Sequence, residues 1–457
     1  MNIVILAAGQ GKRMHSDLPK VLHPLAGKPM LGHVLDTVKG LGHGLHPCLV
    51  LGHGQSAVKG FLDQRQDVIS IALQEEQKGT GHAVLQAFPH LSSSETTLIL
   101  YGDVPLIQLQ TLKSLLNLAQ DGAFVILTQI RQDPTGYGRI MRNLDAEVEG
   151  IVEEKDANSD QKQIREINTG IIACATKDLK NWVQQLQPNN AQGEYYLTDI
   201  VGLAAKQGVP IRTLHPEFAF EVEGVNSRFQ LAQLERVWQV HLANQLLIQG
   251  VTLIDPTRID IRGHFQCAND VIIDVGCVFE GAVEIATGVT IGPYCVIKDT
   301  KIGAHTQIKA FSHIEGSVIK DLTIIGPYAR LRPGTHIDSQ AHIGNFVEVK
   351  NSHIGQGSKA NHLSYVGDAD IGQRVNIGAG TITCNYDGVN KHRTTIEDDA
   401  FIGSDTQLVA PVTVGKGATI GAGTTLTKNA PAEKLTISRA KQLSVDWQRP
   451  PKNKSKD

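Results

Sequence analysis

The chain has 457 residues, with 43 basic and 46 acidic side chains and a formal net charge of −3. This length favours two or three domains, and the balanced charge provides no overall basic field to attract nucleic acid. No apolar run is long enough to predict a segment inserted in a membrane.

The N-terminal residues and the cysteines indicate a cytoplasmic protein. The segment MNIVILAAG has no basic residues before its apolar run and continues into a glycine loop, which favours a first β-strand over a signal peptide. The scattered cysteines contain no C-x-x-C pair, so they predict reduced thiols and neither a disulfide framework nor a zinc site. They are Cys48, Cys174, Cys267, Cys277, Cys295 and Cys384.

The loop after this strand combines glycine with positive charge. Gly9 and Gly11 precede Lys12 and Arg13, a combination that favours phosphate binding. Met14 stands where a dinucleotide-binding motif has its third glycine, and the P-loop motif is also absent. The loop therefore predicts a phosphate site that follows neither of these two templates.

The first half of the chain alternates strand and helix patterns. The apolar runs IVIL, CLVL, TLILY and FVILT are separated by amphipathic stretches such as LIQLQTLKSLLNLAQ. This alternation predicts an α/β, Rossmann-like domain with a largely parallel sheet over residues 1–228. Ligands of such sheets bind beyond the carboxyl ends of the strands, where LAAGQGKRM and YGDVP both lie. Residues 229–249 lack proline and glycine and predict a linker helix.

Residues 250–457 follow a six-residue period. Aliphatic or aromatic residues recur in phase, which is typical of the hexapeptide repeat of a parallel β-helix. The register is expected to lapse between Ile354 and Ile371, and CNYDGVNKHRTT (384–395) is expected to interrupt it as a functional or disordered loop. The repeating positions are Ile273, Phe279, Ile285, Ile291, Ile297, Ile302, Ile308, Ile314, Ile325, Leu331, Ile337, Ile343, Val349, Ile396, Ile402, Leu408, Val414, Ile420 and Leu426.

Two cysteines test this register. Cys277 and Cys295 are 18 residues apart, or three hexads, and should stack on successive coils at about 4.8 Å. We expect small, inward-facing core residues, with a disulfide as the alternative.

A series of motifs resembles one known family over nearly the whole chain. LAAGQGKRM, GTGHA, YGDVPL, INTG and EVEGVNSR are similar to a sugar-1-phosphate uridylyltransferase domain. RLRPG, NHLSYVGDADIG and NIGAGTITCNYDG are similar to an acetyltransferase. The two halves together resemble the bacterial bifunctional enzymes that join N-acetylglucosamine-1-phosphate uridyltransferase to glucosamine-1-phosphate N-acetyltransferase. Lys12 departs from the threonine expected in that family.

The resemblance implies a uridylyl-transfer site for UTP and N-acetylglucosamine-1-phosphate. Arg13 and Lys20 would contact phosphates, and Mg²⁺ would be held by Asp103 and Asn226. An aspartate after a strand, such as Asp103, is also commonly a helix N-cap. The implied binding residues are Leu6, Ala7, Ala8, Gly9, Lys20, Gln74, Gly79, Thr80, Tyr101, Gly102, Asp103, Gly138, Glu153, Asn168 and Asn226.

The resemblance also implies an acetyl-transfer site in the second half. His362 matches the family's proton acceptor, a role that suits the pKa of histidine. The sugar-phosphate residues would be Arg332, Lys350, Tyr365 and Asn376, and those for acetyl-CoA would be Ala379, Asn385, Tyr386, Ser404, Ala422 and Arg439.

The family further implies a left-handed β-helix and a homotrimer. One alternative is a monofunctional sugar-1-phosphate nucleotidyltransferase with a structural β-helix. A second is a regulatory protein that binds nucleotide-sugars without turnover.

Overall fold

The structure, a computed structural model, describes residues 1–9, 11–52 and 54–449. It divides into two compact units, one from Met1 to Val240 and one that begins at His241. Among the described residues, no helix has the length and apolar character needed to cross a bilayer.

The first unit is an α/β domain. Its strands are β1 (Asn2–Ala7), β2 (Pro24–Leu25), β3 (Lys28–Pro29), β4 (Cys48–Leu51), β5 (Ser70–Leu73), β6 (Thr96–Tyr101), β7 (Phe124–Ile130), β8 (Arg139–Arg142), β9 (Val148–Val152), β10 (Glu166–Ala175) and β11 (Ile211–Leu214). Its helices are α1 (Met30–Lys39), α2 (Gln55–Asp63), α3 (Thr80–Ala87), α4 (Leu109–Leu118), α5 (Thr176–Val183) and α6 (Asp199–Lys206), and α7 (Arg228–Ile248) continues into the second unit. Short 3-10 turns lie at Lys12–Met14, Lys20–Leu22, Phe88–His90, Gln161–Gln163 and Ala219–Val222.

The central sheet is mixed, so the expectation of a largely parallel sheet is only partly correct. The strand order is β11-β7-β10-β6-β1-β4-β5. Strand β1 is parallel to β4 and β6, whereas β10 is antiparallel to both β6 and β7. A parallel return requires a long crossover, usually a helix. Between β7 and β10 the chain forms only the antiparallel β8–β9 pair and a 3-10 turn, so β10 returns in the opposite direction.

Strand β1 lies in the middle of this sheet and is buried on both faces. Ile3 and Ile5 belong to the core cluster on one face, and Val4 and Leu6 belong to the cluster on the other. This arrangement explains why the strand is a continuous apolar run and not an alternating one.

The second unit is a β-helix of short parallel strands. They are β12 (Thr252–Leu253), β13 (Ile259–Cys267), β14 (Ile272–Ile273), β15 (Cys277–Ile285), β16 (Thr290–Ile291), β17 (Val296–Lys298), β18 (Lys301–Ile302), β19 (Gln307–Ile308), β20 (His313–Glu315), β21 (Ser317–Ile319), β22 (Ile324–Ile325), β23 (Arg330–Leu331), β24 (Thr335–Ile337), β25 (His342–Asn345), β26 (Glu348–Lys350), β27 (His353–Ile354), β28 (Lys359–His362), β29 (Tyr365–Gly367), β30 (Ala369–Ile371), β31 (Asn376–Ile377), β32 (Ile382–Cys384), β33 (Thr394–Ile396), β34 (Phe401–Ile402), β35 (Gln407–Val409), β36 (Val412–Val414), β37 (Thr419–Ile420), β38 (Thr425–Leu426) and β39 (Leu435–Thr436).

A typical coil contributes three strands, one to the sheet that contains β16 and β19 and two to the sheet that contains β17 and β18. Every aliphatic or aromatic residue of the predicted hexad register is buried in one continuous core. Cys277 and Cys295 are buried, unpaired thiols on successive coils, which confirms the expectation of small core residues. The other cysteines are also free.

The predicted lapse of the register between Ile354 and Ile371 is wrong. Ala360 pairs with Ile343, and Val366 pairs with Val349, so the stack continues through these coils. A search for large apolar residues misses this continuity because alanine fills one inward position. The interruption that does occur is the insertion after β32, where the coil from Ala369 to its partner Thr394 is longer than its neighbours.

Helix α7 begins and ends one residue earlier than the predicted range of 229–249. Its residue Leu234 is buried in a cluster of the first unit with Met14, Leu25 and Met30. Hydrogen bonds attach the same part of the helix, since Arg228 Nε donates to Met14 O (3.1 Å) and Glu235 Oε2 accepts from Ala26 N (2.7 Å). Residues 229–240 thus form part of the packing of the first unit.

We predict that a fragment of residues 1–240 is more stable than one of residues 1–228. Removing Leu234 alone forfeits about 2 kcal/mol of burial, and thermal denaturation of both fragments should show a midpoint several degrees higher for the longer one. Within 1–240, Leu234→Ala should lower the midpoint, while Phe229→Ala, which alters a ring that is 71% exposed, should not. Equal midpoints for the two fragments would contradict the packing described.

Candidate active sites

A cavity of about 280 Å³ opens at the carboxyl ends of β1 and β6 in the first unit. Its lining includes ten of the residues expected from the sequence, together with Val21, Gln77, Ala83 and Glu194, which were not singled out. The ten are Leu6, Ala7, Ala8, Gly9, Lys20, Gln74, Gly79, Thr80, Tyr101 and Asp103. Glu194 lies in AQGEYYLTDI (residues 191–200), a further segment similar to the uridylyltransferase domain, so the family resemblance could have identified it.

The small residues after β1 form one wall of this cavity. Gln77 Nε2 donates to the Ala8 carbonyl at 2.6 Å, which ties the loop to the segment before α3. Gly102 N donates to Leu6 O at 2.9 Å and holds the end of β6 against β1. Residue 10, which belongs to the motif LAAGQGKRM, lies outside the described residues.

Lys20, Asp103 and Asn226 meet at the cavity edge. The Lys20 ammonium forms an ion pair with Asp103 Oδ2 and donates to Asn226 Oδ1 at 3.0 Å. The Lys20 side chain is only 10% exposed, and that of Asp103 is 18% exposed. The two residues expected to bind metal therefore direct oxygen atoms toward one cation.

The other expected cation, Arg13, lies on an exposed turn and does not line the cavity in the part of the chain that is described. Among the described residues, no group of three or more His, Cys, Asp and Glu side chains is placed to hold a metal ion. Mg²⁺ sites commonly use only one or two protein carboxylates, with substrate phosphates and water as the other ligands.

Gln74, Gly79 and Thr80 form the wall of the cavity at the start of α3. Gln74 is buried, and its Nε2 donates to Gly79 O at 3.0 Å. Gly79 has φ +106°, and a Cβ atom there would lie 2.6 Å from Tyr195 O. The sharp turn at Gly79 thus depends on the absence of a side chain.

Glu153, Gly138 and Asn168 form a neighbouring group. Asn168 N donates to Gly138 O at 2.8 Å, and Glu153 Oε1 accepts from Thr198 Oγ1 at 2.9 Å. Burial raises the pKa of Glu153, although the bond from Thr198 opposes this shift. Burial also raises the pKa of Tyr101, and the negative charges of Glu153 and Asp103 add to this shift.

The expected acetyl-site residues fall on two edges of the β-helix. We define the leading edge as the row of turns that follows β16, β19, β22, β25, β28, β31, β34 and β37. The trailing edge is the row of turns that follows β17, β20, β23, β26, β29, β32 and β35. The strands of one face connect these two edges in each coil.

Arg332, Lys350 and Asn385 lie along the trailing edge. Arg332 Nη1 donates to Glu348 Oε1 at 2.9 Å, and Lys350 Nζ lies 3.9 Å from Asp368 Oδ2. The Asn385 side-chain amide donates a hydrogen bond to the same Asp368 carboxylate. Tyr386 follows on the insertion, where its hydroxyl donates to Gly388 O at 2.6 Å.

Ala379, Ser404 and Ala422 lie along the leading edge, on successive coils. Asp405 N donates to Ala379 O at 2.7 Å, and Gly423 N donates to Ser404 O at 2.8 Å, which links each turn to the next. Arg439 lies beside Gly423 and extends the row.

His362, Tyr365 and Asn376 belong to neighbouring strands. His362 ends β28 at the leading edge, where its side chain is exposed and has no hydrogen-bond partner in the described part of the chain. Tyr365 begins β29 and pairs with Glu348, and Asn376 begins β31 and pairs with Lys359. In a single chain, most of the expected acetyl-site residues therefore lie at the two edges of one face, and Asn376 lies in a strand of the adjoining face.

We predict that Gly79→Ala weakens binding of UTP, the nucleotide expected at this cavity, by at least about tenfold, because the new Cβ would displace the Tyr195 backbone. Isothermal titration calorimetry with UTP measures the effect. Gly122→Ala is the matched control, since Gly122 also has positive φ (+76°) but open space around it. If both variants bound UTP like the wild type, Gly79 would not shape the nucleotide site.

Comparisons with known proteins agree with this division of the chain. A family model for the MobA-like NTP transferase domain matches residues 3–168, and a bacterial transferase hexapeptide model matches six repeats at residues 393–428. The second unit is therefore a left-handed parallel β-helix of the hexapeptide class.

Relatives match over the full length. Bifunctional protein GlmU of Herminiimonas arsenicoxydans is 59% identical over 99% of this chain and 100% of its own. The GlmU proteins of an Azoarcus species (58%, 99% and 100%) and of Bordetella parapertussis (56%, 99% and 99%) are similar. Because this identity spans both units, the chain belongs to the family of the bifunctional protein GlmU and is a bifunctional transferase.

Proposed function

We propose that the chain makes UDP-N-acetylglucosamine in two steps. The second unit transfers the acetyl group of acetyl-CoA to glucosamine-1-phosphate, and the first unit then transfers a uridylyl group from UTP to N-acetylglucosamine-1-phosphate, releasing pyrophosphate. The observation that carries the proposal for the first unit is the cavity at the carboxyl ends of β1 and β6, which is lined by ten of the expected residues. Six free cysteines fit a location in the reducing cytoplasm.

The uridylyl site must bring two phosphate-bearing substrates together. In-line displacement at the α-phosphate depends mainly on positioning and on neutralising negative charge. Ala7, Ala8 and Gly9 allow the substrate to approach the backbone closely, and Lys20 supplies a positive charge at the cavity edge. Gln74 and Thr80 would orient the base, while Glu153 and Asn168 would hold the sugar.

Asp103 and Asn226 are the residues that would hold Mg²⁺. Both already direct an oxygen atom at one cation, the Lys20 ammonium, so this donor set fits a hard metal ion that prefers oxygen ligands. When bound, Mg²⁺ would neutralise phosphate charge during the transfer.

In the acetyl site, His362 would accept the proton of the attacking amine. Its exposed imidazole, with no hydrogen-bond partner in the described residues, is free to contact a substrate. Arg332 and Lys350 would bind the sugar phosphate, with Tyr365 and Asn376 completing the sugar site. Asn385, Tyr386 and the leading-edge row from Ala379 to Arg439 would bind acetyl-CoA. A backbone N–H near Ala379 would stabilise the tetrahedral oxyanion.

A homotrimer would complete this site. The leading edge carries a row of exposed aromatic rings, Tyr294, Phe311, Tyr328 and Phe346, which are 46–56% exposed, with successive ring centroids 4.9–5.5 Å apart. A contiguous apolar row of this kind favours contact with another protein surface. Most of the expected acetyl-site residues also occupy both edges of one face, so that a second copy lying along the face would join them into one pocket.

Omission of single substrates tests the two-step proposal. We expect a mixture of the protein with glucosamine-1-phosphate, acetyl-CoA, UTP and Mg²⁺ to release both CoA and pyrophosphate. Omitting acetyl-CoA should abolish both, because the uridylyl acceptor is then never formed. If the complete mixture released no CoA while added N-acetylglucosamine-1-phosphate gave pyrophosphate, the protein would be a monofunctional nucleotidyltransferase. Binding of nucleotide without either product would indicate a regulatory protein.

Reciprocal variants test the assignment of each activity to a unit. Asp103→Asn should slow uridylyl transfer by at least about 10²-fold and leave acetyl transfer unchanged. His362→Ala should slow acetyl transfer by about 10²–10⁴-fold and leave uridylyl transfer unchanged. Because the His362 side chain is exposed, this variant should retain the wild-type melting temperature. A stable His362→Ala variant with full acetyltransferase activity would exclude His362 as the base, and loss of both activities in either variant would indicate misfolding.

A further inference from the structure

Asp368 is a buried acidic residue that the proposed mechanism does not use. It occupies the trailing edge between β29 and β30, where it is 4% exposed and adopts φ +49°, in the left-handed region. Its backbone N donates to Lys350 O at 3.0 Å, and its carbonyl accepts from Thr394 N at 3.2 Å. The backbone of Asp368 therefore joins the coil that carries Lys350 to the end of the insertion.

The Asp368 side chain reaches residues on both substrate sides of the proposed acetyl site. Oδ1 accepts from Asn351 Nδ2 at 2.5 Å, and Oδ2 accepts from Asn385 Nδ2. The same Oδ2 lies 3.9 Å from Lys350 Nζ. One oxygen atom thus faces both the proposed acetyl-CoA residue Asn385 and the proposed phosphate residue Lys350.

Hydrogen bonds and nearby positive charges favour the ionised form of this carboxylate. Burial opposes ionisation, but the amide bonds from Asn351 and Asn385 and the positive charges of Lys350 and Lys391 outweigh it, so the pKa of Asp368 lies below its usual value. The proximity of Lys391 lowers the pKa of Lys350, while Asp368 opposes that shift. Asp368 is thus a negative charge that faces Lys350 at the trailing edge.

We propose that Asp368 is a positioning residue for acetyl transfer, whose carboxylate holds Asn385 and Lys350 in one arrangement and so prepares both substrate sites together. This inference rests on the proposed acetyl site. An asparagine side chain at this position would have one acceptor oxygen in place of two and no negative charge, so it would not hold both amides and attract Lys350. Aspartate at position 368 can therefore make all three contacts, whereas asparagine cannot.

The test is a double-mutant cycle measured on the full-length protein. We expect Asp368→Asn to raise the KM for glucosamine-1-phosphate and for acetyl-CoA, each by about tenfold or more, with uridylyl transfer unchanged. If Asp368 acts through its partners, Lys350→Ala or Asn385→Ala should raise the KM values strongly in the wild-type protein. In the Asp368→Asn variant, the same substitutions should raise them by less than about threefold more. If Asp368 only stabilised the fold, the effects of the two substitutions on the KM values would be additive.

Asp370→Asn is the matched control. Asp370 lies two residues further along the chain, in strand β30, and accepts from Arg393 at 2.9 Å and 2.6 Å, but its side chain is 49% exposed. Both KM values of this variant should stay within about twofold of the wild type.

The exchange variant Asp368→Asn/Asn385→Asp covers the case in which Asp368→Asn does not fold. It restores one amide donor and one carboxylate acceptor at the same two positions and removes the repulsion between the two carboxylates of Asn385→Asp, so it should lower the KM for glucosamine-1-phosphate relative to Asn385→Asp alone. The proposal is overturned if Asp368→Asn has unchanged KM values, if its effects add to those of Lys350→Ala, or if the exchange restores nothing. If Lys350→Ala and Asn385→Ala themselves left the wild-type KM values unchanged, the proposed acetyl site would be wrong, and this inference with it.

Discussion

One buried apolar side chain from each hexad holds the second unit together, and the positions of its functional residues depend on that stack. The inward residues fix the register of each coil on the next, so residues 17 or 18 positions apart in most coils become neighbours. Arg332, Lys350 and Asp368 consequently align along the trailing edge, although they are far apart in sequence. The buried apolar stack thus determines which polar side chains lie next to one another on the surface.

The insertion after β32 departs from this regularity without breaking it. Ala369 still pairs with Thr394 across the longer coil, so the stack resumes in register. The extra residues can then extend from the trailing edge, held by Asn385 on Asp368 and by His392 N on Asn385 O at 2.8 Å. Because the buried core provides the stability, the insertion is available for the acetyl-CoA binding proposed above.

In the first unit, a β-sheet brings distant segments of the chain together. Parallel strands β1, β4, β5 and β6 bring their carboxyl ends to one edge, where the loops after β1 and β6 meet. Lys20 and Asn226 reach the same point from segments separated by more than 200 residues, and Asp103 lies between them. The ion pair partly offsets the cost of holding these charges where little water reaches them.

Local patterns in the sequence determined the elements of this protein, and tertiary contacts decided how the elements meet. Apolar runs predicted β1, β4, β6 and β7, and hexads predicted the β-helix, because periodicity reports which face of a segment is buried. The antiparallel β10 was not predictable, since strand direction depends on the connection and not on the strand itself. The continuous register around Ala360 was missed because alanine is too small to stand out in a pattern of large apolar residues. Asp368 stood in a recognised motif, but its importance arises from Asn351, Asn385 and Lys350, which only folding brings to a single carboxylate.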